Sequence, residues 1–122
     1  MASAIAVEAS GIPTPDLPPA LGRVVERFVR AFAPEAIMLF GSYAKGSQHP
    51  GSDVDLLVVA DVSGSFELHV RRAHQLAIGC FPPVDVVFAT PAEVAEAANA
   101  PSPFLMSILG RGKVIYRRSY LL

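Results

Sequence analysis

The apolar positions of this chain change period repeatedly, and proline, glycine or a capping residue marks each change. Leu21, Val24, Val25, Phe28, Val29 and Phe32 recur at three- and four-residue steps, the spacing of one helical face. Asp16 is expected to cap that helix, with Pro18 and Pro19 in its first turn and Pro34 closing it. The short apolar run Ala36 to Phe40 ends at Gly41 and predicts a buried strand. Gly41 to Ser52 is polar and turn-rich, with room for one helical turn around Tyr43 to Lys45. Val54 to Ala60 predicts a second strand. Residues 65–80 predict a helix with Phe66, Val70, Ala73, Ala77 and Cys80 on its apolar side, stopped by Pro82 and Pro83. A third strand is expected at Val84 to Phe88. Thr90-Pro-Ala-Glu93 carries a capping-box pattern and starts the next helix. Ser102-Pro103 starts a short apolar one whose Phe104 to Leu109 segment is expected in the core, broken by Gly110 and Gly112. Lys113 to Tyr116 is the last expected strand.

Helices alternating with strands predict an α/β layer domain, helices packed on a sheet. The chain has 122 residues, enough for one domain of ordinary size. Residues 1–15 are expected to form a loose arm and 16–122 the domain. Hydrophobic residues make up 52% of the chain, which excludes a wholly disordered protein. Ten basic residues against eleven acidic ones argue against a nucleic-acid coat protein. One cysteine forms no internal disulfide and asks for no oxidising compartment. No apolar run approaches the roughly 20 residues that cross a bilayer, and the N-terminal stretch lacks the features of a signal peptide. The expectation is a soluble cytoplasmic protein.

Three acidic residues stand where a fold alone would not choose them. Asp53 and Asp55 lie two apart at the mouth of an apolar strand, so both side chains leave on one face. Asp85 interrupts a second apolar strand among Val84, Val86 and Val87. If a helical crossover makes the two strands neighbours, the three carboxylates converge. Two like charges about 4 Å apart repel by about 4 kcal/mol at an effective dielectric near 20. Such a cluster needs cations or must stay partly protonated. Oxygen-only ligands suit Mg²⁺ or Mn²⁺, which complete their shells with substrate phosphate oxygens. Gly41-Ser42 offers a place for those phosphates. A glycine admits close backbone approach, the serine hydroxyl adds a donor, and Lys45 adds a positive charge nearby. A phosphate cradle facing carboxylates implies metal-assisted attack at phosphorus.

Gly41-Ser42, ten intervening residues, then Asp53-Val-Asp55 resemble the signature of the DNA polymerase beta-like nucleotidyltransferase superfamily. The compact form, GSYAKGSQHPGSDVDLLVV followed by VDVVF, is similar to a minimal nucleotidyltransferase (MNT) domain, and GKVIY is similar to that domain's closing segment. The resemblance implies a nucleotidyltransferase fold of α/β (α+β) class, a mixed β-sheet with helices packed on it. It implies that Asp53 and Asp55 bind two Mg²⁺ ions and that Asp85 shares one and helps activate an acceptor hydroxyl. Gly41 and Ser42 would hold the β- and γ-phosphates of ATP, and AMP would pass to the hydroxyl with release of pyrophosphate. Larger relatives carry a second, usually helical domain for the acceptor. Only about 34 residues follow the third expected strand here, so the acceptor site is expected on another chain. In the MNT family the frequent partner is a helical HEPN toxin, with the nucleotidyltransferase as antitoxin and, in some members, AMPylation of a toxin tyrosine. A non-catalytic antitoxin acting by occlusion, and an enzyme with a small-molecule or RNA acceptor at a homodimer interface, remain open.

The remaining polar residues carry plainer expectations. His49, His69 and His74 show no metal spacing. His69 and His74 are five apart, about 140° around a helix, so surface or packing roles are expected. Tyr43 is expected beneath the loop and Cys80 in the core. Arg111, Lys113, Arg117 and Arg118 place four of the ten positive charges in eight residues, read as a solvated strand face.

Overall fold

A computed structural model describes residues 18–62, 64–97, 99 and 102–118. Its elements are α1 (Leu21–Phe32), β1 (Ala36–Phe40), α2 (Ser42–Lys45), β2 (Val54–Val59), α3 (Phe66–Leu76), β3 (Val84–Ala89), α4 (Pro91–Glu96), α5 (Pro103–Arg111) and β4 (Lys113–Arg117). The four strands form one sheet in the order β3-β2-β1-β4. β1 runs antiparallel to both β2 and β4, and β2 runs parallel to β3. The expected mixed sheet and the expected neighbouring of β2 and β3 are both present, with α3 as the crossover a parallel pair requires.

Alternation of side chains along the strands divides the core into two layers. Ile37, Leu39, Val54, Leu56, Val58, Val86 and Phe88 face one side, where Val24, Val25 and Phe28 of α1 and Ala73 of α3 cover them. Phe32 closes this layer edge-on to Phe88, with ring centroids 5.0 Å apart. His69 packs against the same two rings at 6.2 and 6.0 Å, the packing role expected of it. Met38, Leu57, Val59 and Ala89 face the other side, where Ile108 of α5 is the buried partner. This second layer is thinner, and one end of it carries the acidic residues.

Several helix ends differ from expectation. Asp16 and the arm lie outside the described residues. α1 begins at Leu21 after Ala20, with no side-chain cap. Pro18 and Pro19 belong to the preceding turn, where the Pro18 carbonyl accepts from the Leu21 amide at 3.0 Å; proline's fixed φ suits either position. Ala33 ends α1 in the left-handed conformation, φ 47°, and Pro34 follows. α3 stops at Leu76, four residues before the expected Cys80, and Phe66 at its start is exposed rather than in the core. Thr90 caps α4 as expected: its hydroxyl accepts from the Glu93 amide at 3.1 Å while Glu93 accepts from the Thr90 amide at 2.8 Å. α5 runs through Gly110 to Arg111 and ends at Gly112, so only the second glycine breaks it. Phe104 and Met106 of α5 are exposed, against the expectation that this segment is core. Among the described residues no helix is long and apolar enough to cross a membrane.

Candidate active site

Strand register brings the acids together. Asp85 lies directly beside Asp55 across the parallel β2–β3 pair, and Asp55 in turn faces Phe40 across the antiparallel β1–β2 pair. One row across three strands thus reads Phe40, Asp55, Asp85, at the ends where β1 leaves the sheet and β2 and β3 enter it. Asp53 stands two residues before Asp55, on the same face by alternation. Its approach is fixed by the turn from His49 to Ser52. The Ser52 hydroxyl is buried and accepts from the His49 amide at 3.0 Å, while the Ser52 amide donates to the His49 carbonyl at 2.9 Å. Val54 then donates to the Pro83 carbonyl at 2.9 Å, which locks the entries of β2 and β3 together.

The electrostatics follow from this crowding. Burial pushes the Asp55 carboxyl above its ordinary pKa, and the charges of Asp85 and Asp53 push it further the same way. Asp85 is open to solvent, its side chain 67% exposed, with His74 Nε2 3.9 Å from its Oδ1. That distance is at the limit for an ion pair and neutralises little. His74 is the basic group nearest the acids that sequence reasoning missed, since helical periodicity does not report which strand end a helix terminus meets.

Gly41 supplies the other half. It has φ 75° and ψ −152°, a conformation that only glycine adopts readily. A Cβ built there would collide with the Asp55 carboxylate, lying 3.1 Å from its Cγ. The glycine expected to make room for phosphate therefore makes room first for Asp55, seating the carboxylate against the bend. α2 starts at once: the amides of Ala44 and Lys45 donate to the Gly41 carbonyl at 3.1 and 3.2 Å. The amides of Ser42 and Tyr43 have no acceptor among the described residues. Tyr43 packs against the core from beneath this loop, as expected, and Lys45 is exposed at the end of the turn.

Carboxylate oxygens crowded by like charge fit a hard divalent cation, and the Asp55–Asp85 pair with Asp53 is the donor set that could hold one. Among the described residues no three His, Cys, Asp or Glu side chains close into a ready-made metal cage. The basic C-terminal stretch is not uniformly solvated. Arg118 donates to the Ala33 carbonyl from its side chain and to the Glu35 carbonyl from its amide, tying β4 to the end of α1. Cys80 is half-buried against the core.

The family profile described as polymerase beta, nucleotidyltransferase, matches residues 23–121. No curated protein sequence matches the chain. Among solved structures, the chain is similar to one in a crystal structure of a toxin–antitoxin with AMP-PNP. The two are 26% identical with a TM-score of 0.56, over 79% of this chain and 73% of that one. A mutant of the toxin–antitoxin MntA-HpeT is also similar, at 26% identity and TM-score 0.52, over 78% of this chain and 71% of that one. The match spans the glycine bend and the two later strands that carry Asp55 and Asp85, and the chain belongs to the polymerase beta nucleotidyltransferase family.

Proposed function

We propose that this protein is a magnesium-dependent adenylyltransferase that moves AMP from ATP to a hydroxyl on a partner protein, as the antitoxin of a toxin–antitoxin pair. The observation that carries the reading is the row in which Asp55 and Asp85 stand side by side, with Gly41 shaped to seat the Asp55 carboxylate. Asp53, Asp55 and Asp85 would hold the divalent ions, which when bound supply charge neutralisation at the reacting phosphate. Gly41, Ser42 and Lys45 would receive the phosphate tail, through the backbone amides of the bend and the exposed ammonium. Asp85, the most open of the row, would face the incoming hydroxyl. The AMP-PNP in one similar toxin–antitoxin structure supports ATP as the donor.

A protein acceptor is favoured by the surface beside Asp85. Ile78 and Phe81, 75% and 81% exposed, follow α3 on the approach to β3. Apolar side chains so exposed beside the site suit a macromolecular partner better than a small polar acceptor. The toxin–antitoxin neighbours support a toxin as that partner, and a helical HEPN protein is the proposed type. Incubation with ATP, Mg²⁺ and the cognate partner should add one or more AMP units to the partner's mass. Asp53→Asn combined with Asp55→Asn should abolish both the transfer and neutralisation of the partner. Neutralisation that survives this double change, with binding intact, would show that the protein works by occlusion. Pyrophosphate release that needs no partner would point to a small-molecule or RNA acceptor.

A further inference from the structure

Gly41 also borders a second feature, on the sheet face that α5 covers. A cavity of about 160 Å³ opens between the end of β1, the short α2 and the last turns of α5. Gly41 is common to both places: it backs onto Asp55 and also lines this cavity. Two cationic side chains reach the cavity, Lys45 from α2 and Arg111 from the end of α5, and none of its lining residues is acidic. Neither cation has a carboxylate partner among the described residues. The rest of the wall is largely apolar, with Phe40 and Phe104 packed edge to face at 5.9 Å. Across the sheet order the charges are therefore sorted, acids on β3 and β2 and bases beside β1 and β4.

The geometry points to this cavity as the seat of the leaving pyrophosphate, with Arg111 as a phosphate-binding residue beside Lys45. The inference rests on the nucleotidyl-transfer reading above and extends it to a residue outside the glycine–serine and aspartate motifs. An α-phosphorus held at the carboxylates directs its β- and γ-phosphates over Gly41 towards the two bases. In the transfer, the acceptor oxygen forms a new bond to the α-phosphorus and the bond from that phosphorus to the bridging oxygen breaks. The electron pair of the broken bond stays on the pyrophosphate, while the acceptor's proton passes by way of Asp85 to water. Two cations against an apolar wall are suited to the charge that develops on that leaving group. A planar guanidinium also matches phosphate oxygens two at a time. A neutral base stacked in the cavity would use neither cation, and the Phe104 ring is already engaged with Phe40.

The test is titration of folded wild-type, Arg111→Gln, Arg111→Lys and Arg117→Gln proteins with ATP, inorganic tripolyphosphate and AMP in the presence of Mg²⁺. Arg111→Gln should weaken ATP and tripolyphosphate about ten- to a hundredfold and leave AMP within about twofold. Arg111→Lys should recover part of the loss, and Arg117→Gln, outside the cavity, should bind like wild type. Equal loss for AMP and ATP would mean the cavity holds the nucleoside and would overturn the inference. So would unchanged ATP and tripolyphosphate binding in Arg111→Gln, with nucleotidyl transfer left standing. A wild-type protein that binds no ATP would instead remove the nucleotide reading itself.

Discussion

Replacing Asp55 with Asn should make the metal-free protein more stable while destroying its nucleotide chemistry. Asp55 and Asp85 are paired on adjacent strands, which lie about 4.8 Å apart, so about 5 Å serves as the separation of their charges. Two negative charges at that separation repel by about 1 kcal/mol in water and about 3 kcal/mol at an effective dielectric near 20. The 67% exposure of Asp85 places the interaction at the weak end, and about 1 kcal/mol is released when Asp55 becomes neutral. For a domain of this size that corresponds to a rise in Tm of about 4 °C. The sign follows from linkage. The folded state raises the Asp55 pKa, so it holds the proton more tightly than the unfolded chain does. The resulting stability is complete below about pH 4 and is lost as pH rises through the folded-state pKa. Thermal melts of wild-type and Asp55→Asn proteins in EDTA, at a series of pH values from 7 downwards, should show a gain that shrinks as the wild-type carboxyl protonates. Added Mg²⁺ should raise the wild-type Tm and leave the variant unmoved. An Asn variant less stable than wild type at pH 7, or a gain independent of pH, would refute the reasoning.

Three further changes test the backbone in and around the site. Gly41→Ala forces a side chain into a positive φ and into the Asp55 carboxylate, and should lower stability by about 1–3 kcal/mol with loss of nucleotide binding, read by chemical denaturation and calorimetry. Gly112→Ala should also destabilise, because its Cβ would lie 2.6 Å from the Ile108 carbonyl oxygen and 3.0 Å from that of Leu39. Gly110→Ala, in the same helix with nothing within 4 Å of the new methyl, should instead stabilise by about 0.5–1 kcal/mol; opposite signs in urea melts are the expected result.

Strands β1, β3 and β4 were legible in the chain as short runs next to a glycine or proline, as Ala36 to Phe40 is next to Gly41, and β2 as the apolar run from Val54 to Val59. The acids were legible because a charge inside such a run, Asp85 among valines, has no structural reason to be there. Register was not legible. Nothing local says that Asp55 pairs with Asp85 rather than with a residue one step along, since parallel pairing is set by how α3 and both core layers pack. The true neighbour of Gly41 was hidden for the same reason: the need for a glycine shows in the sequence, but the carboxylate that imposes it lies in another strand. Periodicity also names which residues share a helix face without saying whether anything covers that face. Phe104 and Met106 on α5 therefore read as core and are exposed, while Arg111 is exposed as expected and also lines a cavity.

Calorimetric titration with AMP-PNP tests most directly whether the acids at 53, 55 and 85 and the bend at Gly41 form one metal–nucleotide site. The wild-type protein should take up the nucleotide saturably in Mg²⁺ and lose that uptake in EDTA. The folded Asp53→Asn, Asp55→Asn double variant should show no uptake under either condition. Binding of equal strength in the double variant, or no binding by the wild type with Mg²⁺ present, would contradict the account.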